Sequence, residues 1–197
     1  MKEFWNKRYA AEGYAYGIHP NAFFKTQLDR LAPGRLLLPA EGQGRNAVYA
    51  ARRGWEVHAF DYSEAAREKA LRLAEAHSVE IDYRLAAYEE IDWPEKSFDC
   101  LALIFAHLPA EKRRAYHRKL AAYLKPGATL LLEAFAKAQL GRDSGGPKNL
   151  AMLYSREELE EDLAGLAELH IEETETELDE GPFHRGAAAV IRVVGRR

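Results

Sequence analysis

Apolar residues along this chain follow two alternating rhythms. Short continuous runs give way to longer stretches in which apolar positions recur every three or four residues, an alternation that predicts helices layered on a mostly parallel sheet. Arg35-Leu36-Leu37-Leu38-Pro39, after the breaker Pro33-Gly34, reads as a first strand. From Arg45 the positions Ala47, Val48 and Ala51 have helical spacing, and Gly54 supplies the stop. Trp55 to Phe60 is a second strand ending at Asp61, and Ser63 caps a helix carrying Ala66, Ala70, Leu73 and Ala74. Val79 to Leu85 and Phe98 to Phe105 are the third and fourth strands, the latter apolar enough to be covered on both faces. Pro109 sits in the first turn of a helix lined by Tyr116, Leu120, Tyr123 and Leu124. Lys125-Pro126-Gly127 ends that helix before a fifth strand, Ala128 to Phe135.

The last part of the chain changes character. Gly141 to Asn149 holds three glycines and a proline and reads as a loop. Ser155 and Glu158 have the spacing of a capping box, opening a helix with Leu159, Leu163 and Leu166 on its buried side. His170 to Leu178 and Ala187 to Val194 are strand-like runs around Gly181-Pro182, an antiparallel pair. The expected organisation is one domain over residues 1–197. It has an N-terminal lid or helical segment over 1–30, a core over 35–135 and a sheet-completing section over 155–197.

With 197 residues, 47% apolar and 30% charged, the chain is long and apolar enough for a real core. No run approaches the roughly 20 apolar residues of a spanning helix, and Met1-Lys2-Glu3-Phe4-Trp5 does not read as a leader, so a cytoplasmic protein without a membrane partner is expected. The single cysteine, Cys100, excludes an internal disulfide and any Cys-based metal site, and reads as a small buried hydrophobe. His19, His58, His77, His117 and His170 show no ligand spacing, so no metal is assigned. The net charge of −3 averages two unlike regions. Arg156 to Glu180 carries 12 acids against one arginine, leaving 27 bases against 19 acids elsewhere, a balance of +8. Arg52-Arg53 and Lys112-Arg113-Arg114 lack interleaved aromatics and read as solvated helix faces, so no nucleic-acid partner is expected.

The densest chemical signal is Leu36 to Ala47, which runs strand, glycine turn, helix start. Gly42 and Gly44 let the backbone turn tightly and a ligand come close, and the helix beyond them offers unpaired N–H groups to a carboxylate or phosphate. Asp61 ends the next strand, where its carboxylate can meet a ribose diol. The pattern suits a nucleoside-containing cofactor. Gly42, Gly44 and Ala47 also satisfy a relaxed dinucleotide pattern, so an NAD(P)-dependent oxidoreductase is one alternative, although no Tyr-x-x-x-Lys spacing accompanies it.

Nearly the whole chain resembles class I S-adenosylmethionine (SAM)-dependent methyltransferases, in the group of tellurite-resistance and thiopurine methyltransferases. The resemblance rests on Trp5-Asn6-Lys7-Arg8-Tyr9, Tyr14-Ala15-Tyr16-Gly17 and Pro20-Asn21 near the start. It continues through Glu41-Gly42-Gln43-Gly44-Arg45-Asn46-Ala47, Phe60-Asp61-Tyr62-Ser63, Phe98-Asp99, His107-Leu108-Pro109 and Leu124-Lys125-Pro126-Gly127. It ends with Gly145-Gly146-Pro147-Lys148 and Glu180-Gly181-Pro182-Phe183-His184-Arg185-Gly186. It implies an α/β, Rossmann-like doubly wound sheet of seven strands, mostly parallel with an antiparallel C-terminal strand. It also implies methyl transfer from SAM, leaving S-adenosylhomocysteine (SAH), to a small-molecule acceptor. Cofactor contacts would fall on Tyr16, Ala40, Glu41, Gly42, Gly44, Asn46, Asp61, Tyr62, Ala87, Tyr88 and Phe105.

His184 and Arg185 would lie near the acceptor, the histidine as a base and the arginine holding an anion. His107 reads either as a third catalytic group or as a cap of the helix after it. Trp5, Tyr9 and Tyr14 could form an aromatic lid, with core packing as the other reading for Trp5. The chain departs from the group at Leu38, commonly acidic, at Ala40, commonly glycine, and at Ala86-Ala87-Tyr88, where an acid often reads adenine. Glu41 either replaces the missing acid from a shifted position or faces solvent. These departures keep a non-catalytic SAM-binding protein as a further alternative.

Overall fold

In the computed structural model, which describes residues 2–197, the apolar runs become strands and the periodic stretches become helices. In chain order they are α1 (Lys2–Ala10), α2 (Ala22–Leu28), β1 (Arg35–Pro39), α3 (Arg45–Arg52), β2 (Glu56–Asp61), α4 (Glu64–Ala76) and β3 (Asp82–Leu85). Then come β4 (Phe98–Ile104), α5 (Ala110–Ala122), β5 (Leu124–Phe135), α6 (Arg156–Asp162), β6 (Glu168–Asp179) and β7 (Arg185–Arg196). The sheet order is β3-β2-β1-β4-β5-β7-β6, the seven-stranded mixed arrangement expected. The chain divides into two compact units, one reaching to Asp92 and including Glu180–Phe183, the other comprising Trp93–Asp179 and His184–Arg197.

In the first unit β1 pairs in parallel with β2, Leu36 opposite Val57 and Leu38 opposite Ala59, and β2 pairs in parallel with β3. Leu36, Leu37 and Leu38 are all buried, as a central parallel strand requires. Ser63 caps α4 as its sequence position predicts, accepting the Ala66 N–H. The third strand is shorter than expected. Val79 and Ile81 instead pack on Val48, Leu73 and Ala74, so that burial is bought by side chains rather than by strand pairing.

In the second unit β4 and β5 are parallel, while β7 runs antiparallel to both β5 and β6. Two boundaries differ from expectation. Pro109 is the N-cap residue, just outside α5. Leu124 begins β5 opposite Phe98 instead of ending the helix, and the ladder resumes at Cys100 opposite Thr129. Between them Lys125 to Ala128 loops out, because Pro126 has no N–H for a ladder and Leu124 is fully buried where it stands.

The capping box of Ser155 and Glu158 forms with both of its bonds, although α6 closes at Asp162, before Leu166. The acid-rich segment lies on the wet faces of α6 and β6. Along the edge strand β6, Glu168, Glu172, Glu173, Glu175, Glu177 and Asp179 are exposed while Ile171 and Leu178 are buried. Asp162 is the exception, buried against Arg113 at 2.6 Å and His117 at 3.0 Å. Among the described residues no helix is long and apolar enough to cross a membrane.

Candidate cofactor site

Residues Ala40 to Gly44 join β1 to α3 in a turn that three left-handed residues make possible: Ala40 at φ 50°, Gly42 at 63° and Gly44 at 85°. Ala40 therefore adopts the conformation that glycine holds at no steric cost. A Cβ on Gly42 would lie 2.9 Å from the Tyr9 hydroxyl, and one on Gly44 would lie 2.7 Å from Cβ of Ala70 in α4. Gly44 is thus required by helix packing, and the close approach at Gly42 is to the protein's own tyrosine.

Glu41 turns inward. Its Oε1 accepts the N–H groups of Asn46 at 2.9 Å and Ala47 at 2.8 Å, and its Oε2 lies 3.4 Å from Asn46 Nδ2. The solvent-facing alternative is excluded by its burial. This corrects a second expectation too. Two of the free donors at the start of α3 are taken by the chain's own carboxylate, so they are not offered to a ligand anion. Those bonds favour the ionised form, yet burial outweighs them and raises the Glu41 pKa to about 7.

Asp61, at the end of β2, accepts the Gly42 N–H at 3.2 Å on Oδ2 and the Ser63 N–H at 2.9 Å on Oδ1. Burial lifts it to about 6 against those backbone bonds. Tyr83 from β3 donates to the Gly42 carbonyl at 2.6 Å, completing the brace on the turn. Glu41 and Asp61 thus stand buried on either side of Gly42, a lining that favours positive charge in whatever lies against it.

The polar residues inside the turn serve a purpose that sequence reading missed. Gln43 accepts the Ala15 N–H at 2.7 Å, and Asn46 Oδ1 accepts the Asn21 N–H at 2.9 Å. Arg45 donates to the Tyr16 carbonyl at 3.2 Å and to Glu180 at 2.9 Å. Together they hold the segment from Tyr9 to Asn21 and the tip Glu180–Phe183 onto the glycine turn. Both ends of the Asn46 side chain are engaged in this way, so it is a strut for that segment. The available signal was three polar side chains within a turn bounded by apolar Leu38 and Ala47.

Above the turn, the Trp5 and Tyr9 rings stack at 5.5 Å, and Tyr16 lies 6.3 Å from Tyr9 and 6.2 Å from Phe183. Tyr14 does not join this group: its hydroxyl reaches the Lys69 carbonyl at 3.3 Å on α4. Tyr62 follows Asp61, half-buried, its phenol pushed up to about 12 by burial and by the Asp61 charge. Tyr88 packs edge-on against Phe60 at 5.1 Å. The Ala87 N–H, expected to be open to an adenine edge, is donated to Glu90 at 2.7 Å.

The remaining candidates lie in the second unit. Phe105, itself left-handed at φ 51°, contacts Phe135 at 4.7 Å and the buried His184 ring at 4.5 Å. His107 bonds the Met152 carbonyl through Nδ1 at 2.7 Å, and its Nε2 accepts the Phe135 N–H at 3.2 Å. That tautomer is neutral, and burial lowers its pKa to about 4. With both nitrogens committed it is a brace between two segments and neither a free base nor a helix cap. Arg185 is exposed and lies 3.4 Å from Asp179 across the hairpin.

Residues 39–127 match the family described as methyltransferase domain. A tRNA (uracil(54)-C(5))-methyltransferase of Pyrococcus abyssi is 32% identical over 113 residues, covering 50% of this chain and 27% of that protein. The chain spans about a quarter of the length of the curated relatives it matches. Among solved structures, TehB from Haemophilus influenzae has a TM-score of 0.71 at 18% identity, covering 100% of this chain and 66% of TehB. A SAM-dependent methyltransferase from Methanosarcina mazei has a TM-score of 0.68 at 16% identity, covering 91% of this chain and 98% of its own.

Proposed function

We propose that the chain, whose residues 39–127 match a methyltransferase domain, transfers a methyl group from SAM to a small-molecule acceptor. The observation that carries this reading is the pair of buried carboxylates, Glu41 and Asp61, flanking Gly42. When bound, SAM supplies a methyl group on a positively charged sulfur, together with an ammonium and a ribose diol. Asp61 accepts backbone N–H groups on both of its oxygens and keeps lone pairs for a diol. Glu41 supplies negative charge for the cationic end from the shifted position that Leu38 leaves open. Tyr16 and Tyr62 contribute aromatic walls. Methyl transfer in line needs positioning and a matched electrostatic lining more than proton relay. His184, buried against Phe105 and Phe135, is the remaining acceptor-side candidate.

An RNA base as acceptor is the second reading, favoured by the names of the Pyrococcus relatives. Methylating uracil at C5 calls for a nucleophile that first adds to the ring, a task suited to a thiolate. The only cysteine in these 197 residues, Cys100, is fully buried in β4, and burial drives its thiol far above the usual range. That observation speaks against Cys100 as the nucleophile of such a step.

The test is SAH release from SAM across a panel of thiol, amine, hydroxyl and oxyanion acceptors, with a tRNA transcript alongside. Turnover with one of the small acceptors, lost in Asp61→Ala, is expected. Turnover on the transcript alone would replace the small-molecule reading, and SAM binding without any turnover would leave a non-catalytic binder. No binding of SAM or SAH at millimolar concentration would sink the proposal.

A further inference from the structure

The turn that follows β4 is strained. Phe105 is left-handed at φ 51° with a full side chain, a conformation that persists only where its surroundings over-determine it. Its N–H donates to the Glu133 carbonyl at 2.7 Å, and the His107 N–H turns back to the Phe105 carbonyl at 3.1 Å. This sharp reversal sets the Phe105 ring edge-on to His184 at 4.5 Å.

A segment distant in sequence, residues 152–154, grips the turn. The Tyr154 hydroxyl accepts the Leu108 N–H at 3.1 Å and donates to the Ala106 carbonyl at 3.1 Å. His107 adds a third bond, to the Met152 carbonyl. Tyr154 is fully buried, and its ring is fenced by His107 at 5.2 Å, Arg113 at 5.4 Å and His117 at 5.8 Å. Its backbone is fixed as well. The N–H donates to the Phe135 carbonyl and the carbonyl accepts the Lys137 N–H, each at 3.1 Å. Stability alone does not explain this surround. Arg113 Nη1, His117 Nε2 and Asp162 Oδ1 are buried there without a hydrogen-bond partner among the described residues, a cost that apolar side chains would avoid. What the polar groups achieve is a single setting for the phenol, and through it for the turn.

We propose that Tyr154 is a positioning residue for methyl transfer, its hydroxyl holding residues 105–108 so that Phe105 meets His184 on the acceptor side. The role in transfer rests on the reading above, whereas the placement of Phe105 does not.

The test removes only the hydroxyl, in Tyr154→Phe, and follows the His184 Cε1–H by proton NMR, assigned by its loss in His184→Gln. The ring current of Phe105 makes that signal a gauge of where the ring stands, and it is expected to move. Leu124→Ala, fully buried at the other end of β5 from Phe135, is the control for general loosening and should leave it in place. In the SAH-release panel, Tyr154→Phe should lower kcat/KM about tenfold for whichever acceptor turns over, with calorimetric SAH affinity kept within about twofold. An unmoved His184 signal, or one moved equally by Leu124→Ala, overturns the positioning. A moved signal with unchanged turnover, or with SAH affinity lost in step, overturns the link to the acceptor. A wild type that turns over nothing in the panel strikes the methyl-transfer reading, and the role in transfer falls with it. The His184 signal still decides the placement in that case.

Discussion

Arg45 and Glu180 lie 135 positions apart in the chain and meet at 2.9 Å, with side chains only 9% and 12% exposed. The pair ties the first residue of α3 to the hairpin tip, and Asn21 adds a second donor to the same carboxylate at 2.9 Å. Removing one partner leaves the other charged and buried, a loss of about 3–5 kcal/mol in comparable pairs. Urea unfolding of Glu180→Ala is expected to show a loss in that range. The double variant Arg45→Met/Glu180→Leu should recover much of it, since no stranded charge remains. A single variant costing under about 1 kcal/mol would mean that water reaches the pair freely.

Ala40 holds a left-handed backbone at φ 50° with a side chain present. That conformation costs an L-residue about 1–2 kcal/mol, and the extra freedom of glycine in the unfolded chain offsets about 0.4–1 kcal/mol. Ala40→Gly should therefore stabilise the chain by roughly 0.5–1 kcal/mol, read from denaturant midpoints. A destabilised Ala40→Gly would contradict the assigned angle.

Ligand binding at the turn should depend on pH in a defined direction. Glu41 and Asp61 sit at about 7 and about 6, raised by burial above ordinary carboxylates. A cationic ligand beside them favours their ionised forms, so binding below pH 7 must expel protons. SAM affinity should rise about tenfold from pH 5.5 to 7.5 and then level off. Calorimetry in two buffers of different ionisation heat should count the protons released. In the ligand-free chain the same two groups act oppositely on folding. The folded state keeps protons that the unfolded state has given up, so their contribution to stability falls as pH rises from about 4 to about 7.

His107 titrates with the other sign. Its folded pKa of about 4 lies below the ordinary value of 6.5, so its contribution is complete above pH 6.5 and is lost as pH falls towards 4. His107→Leu should cost about 1–3 kcal/mol at pH 7.5, because the Phe135 N–H and the Met152 carbonyl lose their partner. The gap between wild type and variant should close on acidification. Taking that difference removes the contribution of the two carboxylates. A gap independent of pH would show that the ring is not buried as described.

Local signals made several elements legible. The Leu36–Leu38 run, Ser63 as a cap and the Ser155–Glu158 box each act within a few residues, and each stands where the sequence places it. The beginning of β5 was not legible, because a Lys-Pro-Gly stop looks the same whether a helix or a bulged strand surrounds it. At the site, the glycines and Asp61 were readable as a turn and a strand end. The phenol of Tyr9 over Gly42 and the bonds that Gln43, Asn46 and Arg45 make to Ala15, Asn21 and Glu180 all depend on contacts between distant segments. Sequence spacing carries no record of those contacts.

The acids along β6 bear on how copies of this chain behave in solution. An open sheet edge is a template for another strand, and its backbone groups pair as readily with a neighbouring molecule as with their own. Six carboxylates on that edge meet six more when two such edges approach, so each chain repels its own kind where it is most adhesive. Colloidal stability is thereby linked to ionic strength and acidity. Concentrated salt, or a pH low enough to neutralise those side chains, unmasks an adhesive border that dilute neutral solution keeps apart.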